Sequence, residues 1–247
     1  MRFVLSLACL LWSIPLHAEE VRIAAASDLT FAMKEIIPEF ERDTGHKVRL
    51  TQGSSGNFYA QILNGAPFDV FLSADLNYPR RLEQAKKAVA GSTFVYGVGR
   101  IALWVPQRSS LDLDKLGMQA LVQTSVKKIA IANPGHAPYG RAAIAAMEHA
   151  KVLDQANNKL VLGENISQAA QFVQSGAADI GVIAVSIALS DAMRNAGRYW
   201  LIPPDSYPRM EQAAVLVKPG TAARAFCEWL RGAKARGILE KYGFGFD

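Results

Sequence analysis

Hydroxyls and a carboxylate stand where apolar runs give way to helical patterns: Ser27 and Asp28 in AAASDLTFAM (24–33), and Ser54 and Ser55 between glycines in GSSGN (53–57). Two junctions of the same kind follow, NPGHAPYG (133–140), which carries Tyr139, and GENIS (163–167), which carries Ile166. A helix start leaves its first backbone N–H groups without intrahelical partners and carries partial positive charge. Four such starts turned toward one cleft would surround a small, fully ionised oxyanion with donors and no full cation. Serine and tyrosine hydroxyls add further donors. Each junction alone also has an ordinary reading. Ser27 or Asp28 can simply cap a helix, and a glycine-rich turn can simply be flexible. No lysine follows GSSGN as it would in a phosphate-binding loop, which argues against a nucleotide.

The elements that must position these residues are legible as alternating short apolar runs and helical patterns. VRIAAAS (21–27) reads as a buried strand. The helix after it places Leu29, Ala32, Met33, Ile36, Ile37 and Phe40 on one face, with a kink expected at Pro38 and a stop at Gly45. Strand KVRLTQ, helix NFYAQILNG, strand DVFLSA and helix NYPRRLEQAKK come next. After strand RIALWVP (100–106) the pattern restarts with KIAIA, YGRAAIAAMEHA, KLVL, SQAAQFVQSG and DIGVIA. RYWLIPP, AAVLVKPG and a C-terminal helix pair ending KYGFGFD close the chain. Helices between successive strands imply parallel pairing and an α/β class with two similar lobes. The expected division is lobe I over 19–105 and 206–247 and lobe II over 106–205, the chain crossing near 100–106 and returning near 203–212. Open α/β sheets bind ligands at the carboxyl ends of their strands, where all four junctions fall.

The N-terminal stretch MRFVLSLACLLWSIPLHA (1–18) has Arg2, an apolar run too short to span a bilayer, and a small-residue end, which predicts a secretory signal cleaved after Ala18. Cys9 does not make a lipobox, because Ser6 stands where leucine is usual and the run before it is too short. The expected mature protein is exported and soluble. It keeps one cysteine, Cys227, which AARAFCEWLRG places as a small buried hydrophobe on a helix. The net charge of +5 falls to +4 with the loss of Arg2, and the remaining basic residues are scattered without interleaved aromatics, which excludes a nucleic-acid stripe. Neither a G-x-S-x-G elbow nor an H-E-x-x-H pair is present, so a hydrolase is the weaker alternative. His46 and His149 are expected at the surface, and His136 is expected to support its turn.

In order along the chain, AAASDLTFAM, GSSGNFYAQILNGAPFDVFLSAD, IANPGHAPYGRAA, GENISQAAQFVQSGAADIGVIA and the terminal KYGF resemble the periplasmic molybdate-binding proteins of bacterial ABC importers, the ModA type. The resemblance implies a two-lobed type II solute-binding fold and a noncatalytic monomer. It would capture molybdate or tungstate between the lobes and deliver it to a membrane permease, with no cofactor and no metal bound directly by side chains. Another small oxyanion, such as sulfate or phosphonate, is the alternative ligand. By position, the resemblance puts the anion on the hydroxyls of Ser27 and Ser55 and the backbone amides of Tyr139 and Ile166. The backbone N–H of Asp28 is expected to face it too, with the Asp28 side chain turned toward the helix or solvent. Some members carry a ligand-binding tyrosine where this chain has Ala184, three residues after Gly181. The phenol of Tyr139 is expected to replace that donor.

Overall fold

The structure, a computed structural model, describes residues 18–246. Of the expected signal segment only Ala18 lies within them.

Strand β1 (Glu20–Ala26) leads through a single 3-10 turn, Ser27–Leu29, into α1 (Thr30–Thr44). That helix continues through Pro38 and stops at Gly45, where a φ of 74° lets the glycine N–H close back on the Glu41 carbonyl. The first passage continues through β2 (Lys47–Gly53), α2 (Ser55–Leu63), β3 (Val70–Ser73), α3 (Asn77–Gln84) and β4 (Phe94–Gly99). The second lobe follows with β5 (Ile101–Pro106), α4 (Leu113–Leu116), β6 (Ile129–Ala132), α5 (Pro138–His149), α6 (Leu153–Ala156), β7 (Leu160–Gly163) and α7 (Ile166–Ser175). It ends with β8 (Ile180–Ala184), α8 (Val185–Ala188), α9 (Asp191–Arg194) and β9 (Gly197–Leu201). The chain then returns through β10 (Met210–Leu216), α10 (Thr221–Arg231) and α11 (Ala233–Lys241).

Each lobe holds a five-stranded sheet, β2-β1-β3-β10-β4 in the first and β7-β6-β8-β5-β9 in the second. β1 pairs in parallel with β2 and β3, as β6 does with β7 and β8. The sheets are not wholly parallel, however, because β10 runs antiparallel to β3 and β4, and β5 antiparallel to β8 and β9. Each of these two strands enters its sheet from a strand of the other lobe, β5 from β4 and β10 from β9 by way of the short Pro204–Ser206 turn. β5 also corrects the expected boundary at 105: its partners are in the second sheet, so the chain changes lobes at Arg100.

Strand alternation sorts the first lobe's core into two layers. Ile23, Val70, Leu72 and Ala214 face α1, α10 and α11, where Phe40 meets Phe226 edge to face at 5.1 Å. Ala24, Phe71 and Val215 face α2 and α3 through Phe58, Ile62 and Leu82. The second lobe packs around the fully buried Trp104. Cys227 is buried on α10 as expected, and burial pushes its thiol pKa up to about 11. His149 is exposed, whereas His46 is buried and accepts the Glu19 N–H, contrary to its expected surface place. Among the described residues no helix is long and apolar enough to cross a membrane.

Candidate functional site

The four junctions meet. A cavity of about 10 Å³ lies between the lobes, lined from the first by Ser27 and Asp28 after β1, Ser54 and Ser55 after β2, and Ala74 after β3. The second lobe contributes Ala137, Pro138 and Tyr139 at the start of α5, and Ile166 at the start of α7. Among the described residues no lysine or arginine lines it. The five expected site residues, Ser27, Asp28, Ser55, Tyr139 and Ile166, therefore share one small, buried space.

Local chemistry explains each placement. Ser54 caps α2 through the Asn57 N–H, which leaves Ser55 as the first helical residue. Ser55 Oγ accepts the buried Ala74 N–H at 2.9 Å, so its own proton is free for another acceptor. Pro138 opens α5 with a fixed φ, and Tyr139 and Ile166 lie in first turns, where N–H groups have no intrahelical carbonyl to reach. Asn165 caps α7 by accepting the Gln168 N–H.

Hydrogen bonds between the lobes hold the cleft closed. Ser27 Oγ donates to Asn165 Oδ1 at 3.1 Å, and Ser167 Oγ donates to the Ser27 carbonyl at 2.9 Å. Gly56 N–H donates to the His136 carbonyl at 2.9 Å. A Cβ at Gly56 would come within 2.5 Å of that carbonyl, so this approach requires glycine. At the rim Arg141 pairs with Asp75 at 2.7 Å, and Asn57 donates to Glu164. Burial pushes the Asp75 pKa up, opposed by the Tyr78 N–H and the Arg141 charge.

The deepest contact departs from expectation. The Asp28 side chain turns neither to its helix nor to solvent: it is fully buried, and Oδ2 accepts both the Tyr139 hydroxyl at 2.9 Å and Gln212 Nε2 at 2.7 Å. Gln212 Nε2 also donates to the Tyr139 oxygen, and Gln212 Oε1 accepts the Tyr96 hydroxyl. Burial pushes the Asp28 pKa up to about 6, opposed by Gln212, Tyr139 and the amides of Asp28 and Leu29. Burial likewise lifts the Tyr96 and Tyr139 phenols well above their ordinary range. The Tyr139 hydroxyl thus spends its one proton on Asp28, and the relocated-donor expectation is corrected. Ala184 is fully buried on β8 and does not line the cavity. Sequence reasoning did not single out Gln212, Asn165 or Ser186, whose hydroxyl donates to the Asp28 carbonyl at 2.7 Å. Only their polarity inside or beside apolar runs marked them.

One arrangement resembles nucleophile machinery. Ser54 Oγ lies 2.8 Å from His136 Nδ1, and His136 Nε2 lies 3.7 Å from Glu164. The imidazole–carboxylate separation is too long for a hydrogen bond, Glu164 is exposed, and Ser54 is committed to capping α2. His136 acts as a cross-cleft contact as well as part of its turn. Among the described residues no cluster of side chains could hold a metal ion.

Comparison with known proteins agrees with this architecture. Residues 21–245 match the model of the bacterial extracellular solute-binding protein family. A molybdate-binding protein ModA of Azotobacter vinelandii is 40% identical over all of this chain and 98% of its own, and one of Rhodobacter capsulatus is 40% identical over 94% and 90%. The Azotobacter vinelandii periplasmic molybdate-binding protein superposes with a TM-score of 0.85 at 33% identity, covering 92% of this chain and 99% of that one. With the family matched along nearly the whole chain and close relatives of equal length, this protein belongs to the bacterial extracellular solute-binding proteins.

Proposed function

We propose that this protein captures molybdate, and tungstate as its near-isostere, between its lobes and delivers it to the permease of an ABC importer. The observation that supports this reading is the small buried cavity, walled by hydroxyls and first-turn amides from both lobes and, among the described residues, by no cationic side chain. A tetrahedral dianion accepts hydrogen bonds on every side, which is what such a donor shell offers. In this reading Ser55 Oγ and the amides of Tyr139 and Ile166 donate directly. Ser27 turns its hydroxyl from Asn165, which keeps the Gln168 N–H. Charge-assisted bonds of about 1.5 to 3 kcal/mol each can together offset desolvation and closure and leave micromolar or tighter binding. The protein would act in the periplasm as a monomer, its signal segment removed, without catalysing a reaction. The names of its ModA relatives support the ligand and the transport role. Calorimetry with molybdate, tungstate, sulfate and phosphate tests the reading: saturable one-to-one binding of molybdate, with sulfate and phosphate at least tenfold weaker, is expected. Preference for sulfate, or sustained hydrolysis of a nitrophenyl ester or phosphate, would overturn it.

A further inference from the structure

The two oxygens of Asp28 have different fates. Oδ2 accepts two hydrogen bonds, from the Tyr139 hydroxyl and Gln212 Nε2, while Oδ1 is buried with no hydrogen-bond partner among the described residues. Asp28 lines the cavity and is 0% exposed. The Tyr96 hydroxyl on Gln212 Oε1 orients that amide so that its Nε2 faces Asp28. Both neighbours of Oδ2 therefore present hydrogens to it, and any proton on the carboxyl group belongs on Oδ1.

Resting on the reading that the cavity takes an oxyanion, we propose that Asp28 holds the captured dianion as a neutral carboxylic acid. Its Oδ1–H donates to an anion oxygen, and capture takes up one proton from the solvent. In the open cleft the group is a hydrated carboxylate. On closure that carboxylate, a solvent proton and the dianion become a carboxylic acid hydrogen-bonded to the dianion, with charge and atoms balanced. The alternative is a buried, unpartnered carboxylate oxygen beside a dianion, which burial and like-charge repulsion both oppose.

Among the described residues no charged side chain offsets this; Gln212, Tyr139 and the amides of Asp28 and Leu29 favour the charged form, and burial outweighs them. The titratable groups around Asp28 are Tyr139 from α5 and Tyr96 from β4, both neutral; Gln212 of β10 and Ser186 of α8 carry no charge. The nearby carboxylate, Asp75 after β3, acts on Tyr96 and is paired with Arg141. His136 and Glu164 lie toward the other side of the cleft, against Ser54 and Asn57. The closed protein already lifts Asp28 to about 6 by burial, and an adjacent dianion raises it further. A pKa higher in the complex than in the open protein fixes the sign. Affinity is greatest below the open-state pKa, near 4 for a hydrated aspartate, and falls as pH rises toward the pKa of the complex.

Calorimetry of molybdate binding near pH 7, in buffers of differing ionisation enthalpy, reads the proton directly. The wild type is expected to take up close to one proton, and its Kd to rise up to about tenfold per pH unit between about pH 6 and 8. In Asp28→Asn the same two donors select the amide oxygen, leaving Nδ2 where Oδ1–H stood. That variant is expected to take up no proton, to bind with pH-independent affinity, and to bind more tightly than wild type at the alkaline end. Wild-type binding without proton uptake, or uptake that persists in Asp28→Asn, would overturn the proposal while leaving the molybdate reading standing. No molybdate heat in the folded wild type would overturn both.

Discussion

Tyr139 of the second lobe donates its hydroxyl to Asp28 of the first at 2.9 Å, and both residues are buried. The bond joins the two lobes across the cleft. The same tyrosine lies in the first turn of α5, where its backbone amide has no intrahelical acceptor, so in the proposed reading one residue would serve both the anion and the contact between lobes. Gly99, at the crossing between lobes, leaves room for it: a Cβ there would stand 2.7 Å from the Tyr139 hydroxyl oxygen.

Tyr139→Phe keeps the ring and the amide and deletes the closing bond. Molybdate affinity should fall by about 1 to 3 kcal/mol, since Gln212 still donates to Asp28 but the cross-lobe bond is gone. Titration by tryptophan fluorescence measures it. Wild-type affinity in a folded variant would mean that the bond does not contribute to closure.

Ser55→Ala has two effects, because Ser55 Oγ is the acceptor for a buried amide, that of Ala74. The variant should lose about 1 to 3 kcal/mol of unfolding free energy as well as affinity, measured by urea denaturation and calorimetry. Ser55→Asp places a charge against the anion and should abolish binding. Undiminished affinity in a folded Ser55→Asp protein would remove this turn from the site.

The junction motifs were legible because their chemistry is local. A strand, a glycine- or serine-rich turn and a helix start lie within a few residues of one another, and Ser27, Ser55, Tyr139 and Ile166 converge as their positions suggest. Gln212 was not legible, since it is a single polar residue inside β10, separated by 184 positions from the carboxylate it bonds. β4 escaped notice because Gly97 and Gly99 dilute the strand signal of Phe94, Val95 and Tyr96. The place of β5 was ambiguous for a similar reason: an all-buried apolar strand announces burial but not which sheet will pair it.

At the rim, Arg141 meets Asp75 across the cleft but is 43% exposed, so the pair is well screened. Arg141→Ala should weaken binding by less than about 1 kcal/mol, mainly through faster dissociation, with a smaller effect at high salt. Stopped-flow release of molybdate checks this. A loss of more than a hundredfold would mean that the rim, not the donor shell, dominates affinity.

Cys227 combines burial on α10 with a thiol pKa raised to about 11. At neutral pH it should react with an aromatic disulfide reagent only as the protein unfolds, and molybdate should slow that reaction by stabilising the fold. Rapid labelling of the native protein would contradict the packing described for α10.

The central claim is that donors from both lobes enclose one oxyanion, and a crystal structure of the molybdate complex tests it most directly. The account predicts one tetrahedral anion per chain, with oxygens within hydrogen-bond distance of Ser27 Oγ, Ser55 Oγ and the backbone nitrogens of Tyr139 and Ile166, and no lysine or arginine in contact. An anion bound elsewhere, or held from one lobe alone, would contradict it.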